Sequence, residues 1–224
     1  MITIDSAIFG KTPGFRLGYL ELERLVVRES PPELWEEFEQ EIRITREHFS
    51  NRQLTEDPCI QGMRRLYKAW GTDPSRYRPS AERLHRRTLK GENLYRINTA
   101  VDACNLISLR HRLPLGLYDK NKVEGEMILR YGQEGEKYLG ITSTEIGAEN
   151  KVVVCDDKGP IGSATTDSQR TAVDESTTAL IMLVYGPENV DDEDIDQVIL
   201  DYIHTLSELQ EPLLMQTEGE IIKK

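Results

Sequence analysis

The stretch from Arg96 to Asp119 constrains this chain most: it has helical periodicity up to Leu109, yet its polar residues fall where an ordinary helix is apolar. Asn98, Asp102 and Asn105 are spaced four and three apart, which puts them on one helical face. Val101, Cys104, Ile107 and Ser108 follow the same spacing one position earlier, so an apolar stripe runs beside a stripe of carboxamides and a carboxylate. Such a face needs specific partners. They are either a ligand or the backbone groups of neighbouring loops that these side chains cap.

Around this element the chain divides by period. Ile2-Thr3-Ile4 and the alternating run from Phe15 to Val27, separated by Pro13-Gly14, predict a β-hairpin. Ser30-Pro31-Pro32-Glu33 has the layout of a helix start, with a serine cap and prolines in the first turn, and predicts a helix to about Phe49. Helical spacing recurs over Ile60 to Trp70, Ser80 to Leu89 and onward to about Arg112. Period two then takes over at Met127–Tyr131, Lys137–Ile141, Val152–Cys155 and Ala179–Tyr185. A last helix is predicted over Asp191 to Leu209, with acids in its first turn, and Gln210 to Lys224 is expected to fray. A helical N-terminal third, a strand-rich middle and a C-terminal helix over about 191–210 make an α+β protein. We expect one domain over 1–224, with an N-terminal hairpin and helices in 1–75.

Charge narrows the partners. A net charge of −11 argues against a surface that clamps nucleic acid throughout. The total hides a segregation: residues 41–90 hold twelve basic against six acidic side chains (+6), and residues 186–224 hold eleven acids against Lys223 and Lys224 (−9). These regions either neutralise each other in the fold or leave an arginine-rich surface for phosphate. In Arg76-Tyr77-Arg78-Pro79-Ser80, with Arg83, Arg86 and Arg87 beyond, a helix start combines arginines with an aromatic ring. It could meet a phosphodiester backbone and stack a base, or dock on the acidic C-terminal helix.

Other chemistries lack a signature. There is no dinucleotide or P-loop glycine motif, no HExxH and no GxSxG. His48, His85, His111 and His204 are spread over predicted helices among charges and read as surface residues. Gly132–Glu136 reads as a hairpin turn and Asp156–Pro160 as another. Cys59, Cys104 and Cys155 have no zinc spacing and are expected to be reduced thiols, so neither a metal nor a cofactor is predicted. No apolar run nears the roughly 20 residues that span a bilayer, and the opening residues lack a signal-peptide layout. A cytoplasmic location without a membrane partner is expected.

Leu94 to Leu109, Leu113-Pro114-Leu115-Gly116-Leu117-Tyr118-Asp119 and the Arg76–Ser80 stretch together resemble the B3/B4 domain of the phenylalanine-tRNA ligase beta chain, and most closely its free-standing relatives. That domain carries runs like "INNVVDVTNYV" and "QPLHAFD", matched here at Asn98, Val101, Asp102, Asn105, Pro114, Leu115 and Asp119. The likeness extends over about Tyr77 to Thr178, with a family-like core to about residue 185. It implies a sheet sandwich with flanking helices, in a family associated with tRNA binding and with hydrolysis (trans-editing) of mischarged aminoacyl-tRNA, the activity of a deacylase and not of a complete synthetase. The family's pocket threonine falls at Cys104, its histidine at Gly116 and its glutamate near Leu183. The resemblance therefore places Asn98, Asp102, Cys104, Asn105 and Gly116 around an aminoacyl pocket, and Arg76, Arg78, Arg83, Arg86 and Arg87 against RNA. The alternative is a non-catalytic module that holds a free amino acid or similar small molecule without nucleic acid. Hydrolysis in such a pocket needs a placed water and donors for an oxyanion, which backbone N–H groups and carboxamides can supply.

Overall fold

The computed structural model describes residues 1–210 and 215–224 and bears out the α+β expectation. In chain order the elements are β1 (Ile2–Ile4), α1 (Ser6–Lys11), β2 (Arg16–Glu23), α2 (Pro32–His48), α3 (Pro58–Ala69), α4 (Ser80–Leu89) and α5 (Thr99–His111). They continue with β3 (Leu115–Asp119), β4 (Met127–Tyr131), β5 (Lys137–Leu139), β6 (Glu145–Gly147), β7 (Val152–Asp156), β8 (Gly159–Gly162), β9 (Ala179–Gly186), α6 (Asp192–Glu208) and β10 (Met215–Ile222).

The predicted N-terminal hairpin does not form. Asp5 accepts the Ala7 N–H at 2.8 Å and starts α1 directly after β1. β1 then pairs in parallel with β4, whereas β2 joins another sheet. Periodicity identified both strands but not their partners, because pairing is decided by distant chain. The expected fraying at the C-terminus is also corrected: β10 extends the β2 edge, and residues 211–214 of that stretch lie outside the described residues. Nor does the Gly132–Glu136 turn close a hairpin, since β4 and β5 lie in different sheets.

Two four-stranded sheets, ordered β1-β4-β7-β8 and β10-β2-β9-β3, face each other through Leu17, Tyr19, Tyr118, Ile181 and Leu183 on one side and Met127, Leu129, Val152 and Val154 on the other. The second sheet turns its opposite face, with Leu20, Leu115, Leu117, Met182 and Val184, onto α5 and α6. Being covered on both faces explains why β9 reads Ala-Leu-Ile-Met-Leu-Val-Tyr-Gly without alternation and is buried throughout. A small sheet of β5 and β6 completes the chain fold.

α6 seats closely because β2 carries Gly18, where an added Cβ would lie 2.6 Å from Ile195 Cγ2 and 3.0 Å from Val184 Cβ. Gly18→Ala is therefore expected to overpack this layer at a cost of about 1–3 kcal/mol, read as a lower urea midpoint with an unchanged m-value. A midpoint equal to the parent's would show that α6 can move away freely. Among the described residues no helix is long and apolar enough to cross a membrane.

Candidate functional site

α5 is buried on nearly every side, between α2, α4 and α6 and against β3. Its polar stripe therefore meets protein along part of its length. Asn98 adopts extended backbone as N-cap and accepts the Val101 N–H at 2.9 Å, while its amide donates to the Val173 carbonyl at 3.5 Å. Asp102, fully buried, accepts the Ile97 N–H at 3.1 and 3.2 Å and the Ser30 hydroxyl at 2.6 Å. Burial pushes its carboxyl above the ordinary aspartate range, against the pull of these donors. Ser30 thus serves Asp102 and does not cap α2, whose N-terminus at Pro31 has no side-chain cap. Asn98→Ala is expected to cost about 1 kcal/mol as a lost helix cap. Ligand affinity measured beside it should stay at the parent's value; a large drop would return Asn98 to the site.

Further along α5 the same face opens onto a cavity of about 420 Å³, within the range of small-molecule sites. It lies at the β3 edge of the second sheet. Val101, Cys104, Asn105 and Ser108 of α5 form one wall, Leu115 and Leu117 of β3 another, and Arg83 and Leu84 of α4 a third. The polar turn from Ser163 to Asp167 closes the far side, with Tyr95, Ile97 and Ile141 at the cavity's edge. Asn105 has no hydrogen-bond partner for its carboxamide among the described residues, and Arg83 donates to the Thr165 carbonyl at 2.9 Å. Cys104 is buried, and that burial pushes its thiol far up, so it is protonated and inert as a nucleophile.

The acid of this cavity is Asp167. Its Oδ2 accepts the Leu117 N–H at 3.0 Å. Oδ1 is sealed from solvent beside the Tyr118 hydroxyl, without a well-aligned hydrogen bond. Burial raises the carboxyl to about 7, although Leu117, Tyr118 and the Arg83 charge all pull it down. Gly116 and Gly162 make room for this pair. A Cβ on Gly116 would lie 2.9 Å from Tyr118 Oη and 3.3 Å from Asp167 Oδ1, and one on Gly162 2.6 and 2.8 Å from the same atoms.

Of the five predicted pocket residues the structure brings Cys104 and Asn105 to the cavity wall, and three are corrected. Asn98 and Asp102 are consumed by backbone groups near the start of α5. Gly116 alternates with Leu115 and Leu117 along β3 and so faces Tyr118 on the other side of the strand. Leu183 of β9 pairs with Gly116 of β3 and is fully buried in the core between the sheets, so it supplies no polar group. The neighbouring carboxyl comes instead from Asp167, in a turn whose spacing carries no sequence signal.

The predicted arginine surface is also rearranged. Glu82, fully buried in the first turn of α4, accepts Arg64 Nη1 at 2.9 Å and Arg86 Nε at 2.9 Å, with Arg78 Nε 3.6 Å away. Arg87 donates to the Asn93 carbonyl at 2.8 Å, and Arg76 lies over the Tyr77 ring at 5.3 Å. None of these arginines docks on α6: Arg64, Arg78 and Arg86 pair with Glu82 and Arg87 with Glu92, while Arg76 has no ion pair among the described residues. Among the histidines, His48 and His204 are exposed, His111 bonds Asp201 at 2.7 Å, and His85 is fully buried with Nδ1 2.8 Å from the Ala81 carbonyl. Burial lowers the pKa of His85, which removes it from the predicted surface set. Asp156 likewise lies inside its turn, bonded by Arg170 at 2.6 and 2.9 Å.

An α+β chain with one largely apolar, arginine-bordered cavity at the edge of its central sheet is the class that these features define. The chain belongs to the B3/4 domain family, whose model matches residues 62–196. It is 33% identical over 102 residues to the phenylalanine–tRNA ligase beta subunit of Streptomyces avermitilis, covering 43% of this chain and 12% of that protein. It is 30% identical over 173 residues to the same subunit of Nocardia farcinica, covering 75% of this chain and 18% of the relative. The chain thus spans less than a fifth of the length of these relatives. Among solved structures it resembles an N-terminal fragment of the phenylalanyl-tRNA synthetase beta-subunit from Pyrococcus horikoshii, at a TM-score of 0.44 and 13% identity over 99% of this chain and 50% of that one.

Proposed function

We infer that this chain binds the aminoacyl end of a charged transfer RNA in the cavity beside α5 and hydrolyses the ester there. The observation that carries the reading is the cavity itself: apolar walls sized for an amino-acid side chain, with one carboxyl, Asp167, at its boundary, in a chain of the B3/4 family. A carboxyl raised to about 7 is half ionised at neutral pH, where a general base works best. The ionised form takes a proton from water as the water attacks the ester carbonyl, and the Asn105 carboxamide is a donor for the oxyanion that develops; as the oxyanion collapses, the bond between the acyl carbon and the ribose oxygen breaks, and the leaving oxygen takes back the proton held by Asp167, releasing the amino acid and the free hydroxyl of the tRNA. The protonated thiol of Cys104 has no part in this.

A panel of charged tRNAs incubated with the protein tests both the binding and the hydrolysis. Deacylation of at least one, above its spontaneous rate, is expected; no acceleration with any removes the hydrolytic reading. A second reading, a module that holds a free amino acid without RNA, is favoured by the way Glu82 engages Arg64, Arg78 and Arg86. Calorimetric titration with free amino acids separates the two, since that reading requires saturable binding with no tRNA present.

A further inference from the structure

The segment between α4 and α5 is a ridge with two different sides. Leu94 and Arg96 face an open groove of about 500 Å³ against α2, while Tyr95 and Ile97, the alternate residues, face the cavity. Alternation of this kind follows from an extended backbone. Both sides of the ridge carry unusual features.

On the cavity side the mouth is apolar and exposed. Tyr95, Ile97 and Ile141 are 72%, 52% and 49% exposed, so three of the eight large exposed apolar side chains among the described residues ring this one opening. Tyr95 is also organised: the Arg87 guanidinium lies 4.9 Å from its ring centre and is itself held by the Asn93 carbonyl and by Glu92 at 3.5 Å. One face of the ring is backed by a cation. An exposed ring held in this way is a stacking platform.

On the groove side are cations with no carboxylate within salt-bridge distance among the described residues, although the buried Asp102 carboxylate feels the charge of Arg96. Arg43 has no ion pair, Arg46 donates through Nε to the Thr88 carbonyl at 2.9 Å, and Arg96 lies over the Trp35 ring at 4.6 Å. None of the three has an acidic partner within salt-bridge distance among the described residues, although Glu39 and Glu92 also line the groove. Glu92 already serves Arg87 and Lys90. This contrasts with the arginines around Glu82, whose charge is matched.

We propose that the 91–97 ridge is the saddle over which the 3′ strand of the RNA enters: the terminal base stacks on Tyr95, and the preceding phosphates lie along Arg43, Arg46 and Arg96. The proposal rests on the reading that an aminoacyl group occupies the cavity, since its ester then holds the terminal nucleoside at the mouth. It moves the RNA interface from Arg78 and Arg86, whose charge is matched by Glu82, to the groove arginines, which have no carboxylate within salt-bridge distance among the described residues.

The test uses the full chain and two probes, an uncharged tRNA with an intact 3′ end and the same tRNA lacking its terminal adenosine, each titrated at several salt concentrations. Tyr95→Ala is expected to weaken binding of the intact tRNA about 5- to 150-fold, the range for one stacked base, and to change the shortened one by less than about twofold. Tyr95→Phe should restore the parent's affinity. Arg43→Gln with Arg96→Gln should weaken both probes equally and reduce the slope of log K against log salt by about 0.7 for each phosphate no longer neutralised. Thermal midpoints of these surface variants report that each is folded. An equal effect of Tyr95→Ala on both probes overturns the stacking. Unchanged affinity and slope in the arginine variant overturn the groove path, as does a dimer of the free protein that Tyr95→Ala dissolves. Failure of the parent protein to bind either tRNA overturns the functional reading as well, so the two failures are distinguishable.

Discussion

Asp167→Asn is expected to lower the rate of aminoacyl-ester hydrolysis by about 10²- to 10⁴-fold, the contribution of a general base, while leaving ligand binding nearly intact. The substitution keeps an acceptor for the Leu117 N–H, now 3.0 Å from Oδ2, so the turn retains its anchor. In the parent the rate should rise with pH and level off above about 7, as the carboxyl ionises. The variant should have no such inflection. Full activity in Asp167→Asn would remove Asp167 from the chemistry.

The same substitution has a stability signature of known sign. An unfolded aspartate titrates near 3.8 and the folded Asp167 near 7, so between these values the native state holds a proton that the unfolded chain has released. The favourable contribution is therefore complete below about pH 3.8 and is lost as pH rises through 7, by up to about 1.4 kcal/mol per pH unit for one proton. Asparagine cannot ionise. The variant's thermal midpoint should gain on the parent's between pH 5 and pH 8, and a constant gap would show that the carboxyl is not raised.

Glu82→Ala is the substitution expected to cost the most stability. Glu82 is fully buried and draws together Arg64 from α3, Arg78 from the preceding loop and Arg86 from its own helix. Its place in the first turn of α4 also suits the helix dipole. Removing one partner of a buried charge cluster typically costs about 3–5 kcal/mol. The arginine side chains are 22%, 37% and 39% exposed and can turn to water, which puts the expectation at the lower end of that range. Urea denaturation measures it. Glu82→Gln, which keeps the shape and an acceptor, should lose less, and raising salt should affect the parent little because the carboxylate is shielded. A loss below about 1 kcal/mol for the alanine variant would class the cluster with ordinary surface pairs.

The sequence was most legible where interactions are local. α2, α3, α4, α5 and α6 lie within a few residues of their predicted spans, because helical hydrogen bonds and apolar stripes are set by neighbours three and four positions away. Strands β4, β7 and β9 were visible in the same way. β3, β6, β8 and β10 were not, being short or polar, and strand status there comes from the partner. The site shows the same division. Asn105 and Cys104 reach the cavity, but Asp102 and Asn98, about one and two helical turns before Asn105 on the same face, meet backbone instead. A helical wheel cannot tell a wall from a cap.

By itself the sequence determined a central polar helix, the α+β composition and, through the residues of α5 and β3, the B3/4 family. Only the tertiary structure decided which groups share the cavity, since Asp167, Arg83 and Tyr95 are brought to Asn105 from a turn, a helix and a ridge that no common period links. It also decided which arginines are spent on Glu82 and which lie along the groove with no carboxylate within salt-bridge distance among the described residues, because the net effect of a charge depends on the distance to its partner and on burial.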